Sequence, residues 1–300
     1  MKRFSPLLVL FLAAGLPGCA PTYPHAALES SLIQLCKKEY GIDVSVQLVG
    51  KTIGVQVPLE KLFDSTLKLS PEVGDTLDGV ILATSRVVLS TDDPPDFYVV
   101  VARDKRIPGV ELKLIRYVQD IRRLNYGDLS RSEYTKRMLF EFGLGLGIFE
   151  EDDRFHIDEV KLEKFLSDQI SQRIKSQLDE EKELKKDVDV RSVQGDYLSG
   201  KFVFNLDVQR RGITLWESLG SEEEKKIIES ALSVILEVLR GYRFQNFESV
   251  EIRAPFLTHA FLLDKRVLEL YRRKKINLSE LLLPNDFNFS PHDAELFLKK

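Results

Sequence analysis

Residues 42–57 read Ile-Asp-Val-Ser-Val-Gln-Leu-Val-Gly-Lys-Thr-Ile-Gly-Val-Gln-Val. Over 42–48 apolar and polar side chains alternate strictly, the period-two pattern of a half-buried strand. Gly50-Lys51 supplies a tight turn, and Ile53, Val55 and Val57 form the inward row of a returning strand. The stretch is a β-hairpin, and Pro58 is expected to end it.

Working outward, Leu28, Leu32, Leu35, Cys36 and Tyr40 fall near helical spacing, so a helix over 28–40 precedes the hairpin and Gly41 stops it. Residues 59–67 make a short amphipathic connector. Ser70-Pro71 then opens a helix with Ser as N-cap and Pro at its first position. Leu77, Val80, Ile81, Thr84, Val87 and Val88 make its apolar stripe. The run Asp92-Asp93-Pro94-Pro95-Asp96 breaks it. Strands 97–102 and 110–115 follow, and a basic amphipathic helix over 117–125 closes the unit.

The same order returns about 150 residues later. A long helix over 157–184 leads to strand 188–193, a loop at 195–200 and strand 201–209, in which Phe202, Phe204, Leu206 and Val208 share one face. Ser221 and Glu224 form a capping box for a helix that Gly241 ends. Strands 247–253 and 257–263 and a helix over 264–273 complete the second unit. Each unit reads helix, hairpin, helix, hairpin, helix. The expected fold is α+β: two tandem units, each a four-stranded antiparallel sheet with helices on one face. Between them, 130–142 reads as a helix with Ser130 and Glu133 as a capping box. Residues 277–283 read as a short capped helix, and Ser290-Pro291 starts another toward the C-terminus.

The N-terminus carries a different signal. Lys2 and Arg3 precede an apolar run over 7–16, the length of a signal peptide and about half that of a membrane-spanning helix. It ends in Leu16-Pro17-Gly18-Cys19. This tetrad resembles the lipobox of bacterial lipoproteins, with Pro17 where Ala, Ser or Val is usual. The resemblance implies a diacylglyceryl group on Cys19, cleavage before it and an acyl chain on the new amino terminus. Ala20 stands where an inner-membrane retention signal would place Asp, so in a cell with two membranes the outer one is favoured, with the body in the periplasm. The other reading is an ordinary small-x-small site, Gly18-Cys19-Ala20, that releases a soluble protein. Residues 21–25, Pro-Thr-Tyr-Pro-His, read as a proline-stiffened extended spacer. The chain thus divides into a targeting segment 1–18, a lipidated cysteine and spacer 19–27, a first unit 28–129, a connector 130–156, a second unit 157–276 and a tail 277–300.

Without residues 1–18 the chain keeps 41 basic against 47 acidic residues, formally −6. That mild balance argues against a general nucleic-acid binder, and 43% apolar with 30% charged residues is globular composition. With Cys19 acylated, Cys36 has no disulfide partner and is expected in the core. Gly143, Gly145 and Gly147 lack the strand–helix setting and spacing of a dinucleotide loop. Glu150-Glu151-Asp152-Asp153 lacks calcium-loop spacing, and Asp92, Asp93 and Asp96 read as loop residues. The four histidines are scattered, and neither a zinc-hydrolase motif nor a serine elbow occurs. No cofactor and no metal ligand is therefore assigned.

Two features remain as candidate contacts for a ligand or partner. His259 alternates with Leu257, Phe261 and Leu263 and is expected to face the core with them. Arg272, Arg273, Lys274 and Lys275 cluster at the end of a helix, where cations complement its dipole. The expected function is a membrane-anchored, non-catalytic binding or scaffold module for another envelope component. The alternatives are an envelope hydrolase acting on a polymer or lipid, or a carrier of an apolar ligand.

Overall fold

The hairpin forms from β1 (Ser45–Val49) and β2 (Thr52–Leu59), with Val46 opposite Val55 and Leu48 opposite Ile53. Gly50 begins its two-residue loop at φ +56°, and the strand runs on through Pro58 to Leu59. The computed structural model describes residues 22–64, 68–144, 155–184, 186–211 and 219–282. The body is α+β, with a five-stranded and a four-stranded sheet, and it divides into two units between Glu159 and Val160.

In the first unit, α1 (Leu28–Leu35) continues into a π-helical turn, Cys36–Tyr40, and Gly41 ends it at φ +69°. After β2, α2 (Pro71–Leu89) leads to the hairpin β3 (Phe97–Asp104) and β4 (Val110–Tyr117), followed by α3 (Val118–Asn125). Leu28, Leu32, Leu35 and Cys36 of the first helix and Val80, Ala83, Val87 and Val88 of α2 close one core over Ile53, Val55, Val57, Tyr98, Val100 and Leu114.

The wholly antiparallel sheet is corrected at its centre: each hairpin is antiparallel, but β2 and β3 run parallel, Val55 beside Val100. The cause is the helix between them. A 19-residue helix returns the chain about 28 Å, the length of an eight-residue strand at about 3.3 Å per residue, so β3 starts where β2 starts. The N–H groups of Asp96 and Phe97 both donate to the Lys51 carbonyl, at 2.8 and 3.1 Å.

The helix expected over 130–142 is corrected as well. Only α4 (Arg131–Lys136) is helical, capped by Ser130 accepting from the Glu133 N–H at 3.1 Å. Leu139–Leu144 forms a fifth strand, β5, against the free edge of β4. Residues 155–159, expected at the start of the long helix, instead lie on the first sheet. The Ile157 N–H donates to Gln47 Oε1 at 3.1 Å and the Lys51 N–H to Glu159 Oε1 at 3.0 Å. Gly54 leaves the room: a Cβ there would lie 2.6 Å from Ile157 Cδ1.

The second unit has α5 (Leu162–Glu180), β6 (Val188–Leu198), β7 (Lys201–Arg210), α6 (Ser221–Gly241), β8 (Ser249–Arg253), β9 (Phe261–Asp264), α7 (Lys265–Arg272) and α8 (Leu278–Leu281). Strand β6 consumes most of the loop expected at 195–200, leaving Ser199 and Gly200 at φ +48° and +83°, the twist-matched form of a two-residue hairpin. Helix α6 is capped one residue earlier than expected, with Glu223 accepting from the Gly220 N–H at 2.7 Å. The inner pair β7 and β8 is again parallel. The units share the order of their first four strands and a pair of closing bonds. Val118 N–H donates to the Asp96 carbonyl and Lys265 N–H to the Glu248 carbonyl, each at 2.8 Å. Helices α3 and α7 thus hold corresponding places.

Candidate functional site

Cys19 and residues 145–154, with their glycines and acidic run, lie outside the described residues, as does the helix expected from Ser290. Asp92 and Asp93 are engaged by neighbours: Asp92 accepts from the His25 N–H at 2.9 Å, and Asp93 pairs with Lys51 Nζ at 2.6 Å. Cys36 is fully buried, and burial raises its thiol pKa to about 11.

His259 is not in the core. Strand β9 begins only at Phe261, so 257–260 is loop and the imidazole is exposed. Alternation of apolar residues marked a strand there; antiparallel pairing with β8 extends only from Phe261 to Asp264.

The cationic cluster is split by its partners. Glu269 takes Arg272 through both oxygens, at 2.6 and 2.5 Å, and Arg273 Nε at 2.7 Å. These bonds, Arg272 first, pull the Glu269 carboxyl down to about 2. Lys274 and Lys275 make no ion pair among the described residues. They stand on the turn that ends α7, where Lys275 N–H donates to the Leu270 carbonyl at 3.0 Å and Lys274 N–H to Tyr271 at 2.9 Å. That pair of bonds is a Schellman turn, whose left-handed residue is usually glycine. Here it is Lys274, at φ +56°. The corresponding turn after α3 has the same two bonds, Asp128 to Arg123 and Gly127 to Leu124, and keeps glycine: Gly127 at φ +78°. A side chain in this region costs about 1–2 kcal/mol.

The turn forms one wall of an open groove of about 790 Å³ whose floor is the outer face of α6. Glu229, Ser233, Glu237 and Arg240 recur at helical spacing along that floor, and Tyr271, Lys274, Lys275 and Asn277 face them. Glu229, Ser233 and Glu237 also line a second, smaller hollow that runs on toward Glu183 and its ion-pair partner Lys226. Two of the groove's carboxylates are held: Glu237 pairs with Arg173 at 3.2 Å and Glu280 accepts from the Asn277 N–H at 2.7 Å. Arg240, Lys274 and Lys275 make no ion pair among the described residues. Glu229 is a third carboxylate on the floor, near enough to Tyr271 to help raise its pKa after burial, so the groove carries charges of both signs beside hydroxyl and amide groups. Sequence reading found its basic wall but missed Arg240 and Ser233, whose outward spacing along an amphipathic helix looks like ordinary solvated surface.

Among the described residues, no cluster of three or more His, Cys, Asp or Glu could hold a metal ion, and no helix is long and apolar enough to cross a membrane. The chain matches no protein-family model, and comparison with curated proteins and with solved structures gives no match.

Proposed function

We propose that this protein is an envelope lipoprotein, held to a bacterial membrane by acyl chains on Cys19, whose body is a non-catalytic binding module. Its binding surface is the groove between α6 and the α7–α8 turn, and its partner there is an acidic segment of another envelope protein. The observation that carries this reading is Lys274. Two corresponding turns have the same hydrogen bonds, yet the one beside the groove gives up glycine for a cation. Arg243 after α6 adopts the same conformation at φ +54°, so what supports the reading is the strained Lys274 standing on the groove wall beside Lys275 and across from Arg240.

Two experiments test the reading. Palmitate labelling should mark the wild type and leave Cys19→Ala unmarked; equal labelling of both removes the anchor. A photo-crosslinking residue at Ser233 should capture one defined envelope protein. Lys274→Gly should raise stability by about 1 kcal/mol and still lower that capture several-fold. Undiminished capture by Lys274→Gly would sink the groove assignment.

A further inference from the structure

The N-terminal segment read as a proline-stiffened extended spacer is, from Thr22 onward, part of the first unit. The Tyr23 N–H donates to the Ser90 carbonyl at 3.3 Å, and Tyr23 forms a parallel bridge with Thr91. Its side chain packs against the core that α1 and α2 close. His25 adds two bonds: its N–H donates to Asp92 Oδ1 at 2.9 Å and its Nδ1–H to the Asp93 carbonyl at 2.6 Å. Lys51 Nζ, on the β1–β2 turn, fixes Asp93 from the other side at 2.6 Å. The chain then enters α1, where Leu28 and Leu32 are fully buried. A strap of four residues is thus clamped to one end of the sheet, the end where β2 and β3 begin.

Only Ala20 and Pro21 separate Cys19 from this strap. Three peptide links at 3.8 Å per Cα step span at most about 11 Å, so the Cys19 Cα lies within about 11 Å of the Thr22 Cα, however those two residues are arranged. We infer that the strap orients the first unit against the bilayer, with the loop Thr91-Asp92-Asp93-Pro94-Pro95-Asp96 and the turn Gly50-Lys51 toward the lipid surface and the β3–β4 turn away from it. The inference rests on acylation of Cys19. Its occupant is the bilayer that holds those acyl chains, identified by the length of chain between them and the clamped residues. A spacer of residues 21–25 free to swing would allow a larger stand-off from the lipid and a wider range of tilts; a two-residue link restricts both.

Asp96 and Arg106 flank β3, are both exposed, and stand about 26 Å apart along an eight-residue strand. The test uses the mature acylated protein, beginning at Cys19, in phosphatidylcholine vesicles containing a rhodamine-headgroup lipid, with a donor dye on Asp96→Cys or Arg106→Cys. The buried Cys36 thiol stays unlabelled. Energy transfer to the lipid should be about threefold greater from position 96 than from 106, given that strand length. A Gly-Ser run of about 12 residues between Pro21 and Thr22, reaching roughly 20 Å as a coil, leaves the strap bonds in place and should erase the difference. Equal transfer from both positions in vesicle-bound protein overturns the orientation, and a difference that survives the insertion overturns the strap as its cause. Protein that fails to float with the vesicles overturns the acylation reading itself.

Discussion

Arg137 Nη1 stands 2.9 Å from Asp120 Oδ1, with 5% and 3% of the two side chains exposed. Asp120 lies in the first turn of α3 and Arg137 just after α4, so the pair clips the helical connection that delivers β5 to the sheet edge. Glu133 also accepts from Arg137 Nε at 2.8 Å. Breaking a buried pair from one side costs about 3–5 kcal/mol, because it strands the other charge. Glu133 still pairs with Arg137 once Asp120 is gone, so Asp120→Ala should lower the stability of the first unit by about 1–3 kcal/mol. Replacing both residues together, Asp120→Ala with Arg137→Met, should recover much of the loss, measured by urea unfolding followed by circular dichroism.

Two glycines should respond to alanine with opposite signs. At Gly195 in β6 a Cβ would lie 2.4 Å from Ser171 Oγ and 2.7 Å from the Ser167 carbonyl oxygen of α5. Backbone cannot yield as a side-chain tip can, so Gly195→Ala should destabilise by about 1–3 kcal/mol. Gly74 sits within α2, and a methyl added there would meet nothing within 4 Å. Gly74→Ala should stabilise by up to about 1 kcal/mol, and thermal melts of the two variants check the pair.

Glu251 of β8 is nearly buried on the sheet, where it accepts from Lys201 Nζ at 2.9 Å and Arg253 Nε at 2.6 Å. The Lys201 bond, against the cost of burial and aided by Arg253, holds its carboxyl below the ordinary value of 4.5. A carboxylate depressed in the folded state contributes stability above its unfolded pKa and loses it as pH falls through the folded one. The second unit should therefore weaken as pH drops below 4.5. Glu251→Gln should be less stable near neutrality and show a flatter acid limb, read from urea midpoints across a pH series.

Cys36 should be silent toward thiol reagents in the folded protein, since burial raises its pKa to about 11 and leaves little thiolate at neutral pH. Its modification rate should rise only with denaturant, tracking unfolding of the first unit. Cys36→Ser places a hydroxyl where the thiol lies fully buried and should cost about 1–3 kcal/mol. Reaction at the native rate of an exposed thiol would contradict the core position.

What the chain's order alone determined was local. Alternation at 42–57, the apolar stripe of α2 and the run Phe202, Phe204, Leu206, Val208 each mark a buried face because side-chain period follows backbone geometry over a few residues. Cys36 was legible as a core residue for the same reason. The tertiary structure decided what depends on distant partners. The parallel inner pairs follow from helices long enough to return the chain a full strand length. Residues 139–144 became a strand because β4 offered an open edge, and 155–159 left the long helix because Gly54 made room for Ile157. His259 is solvent-exposed because β8 pairs no further than Phe261. Lys274 reads as one more surface lysine until its backbone is seen in the conformation that Gly127 adopts at the corresponding turn. These are outcomes of long-range contacts, whose closing entropy is repaid only once both partners are folded, and no short window of sequence contains both.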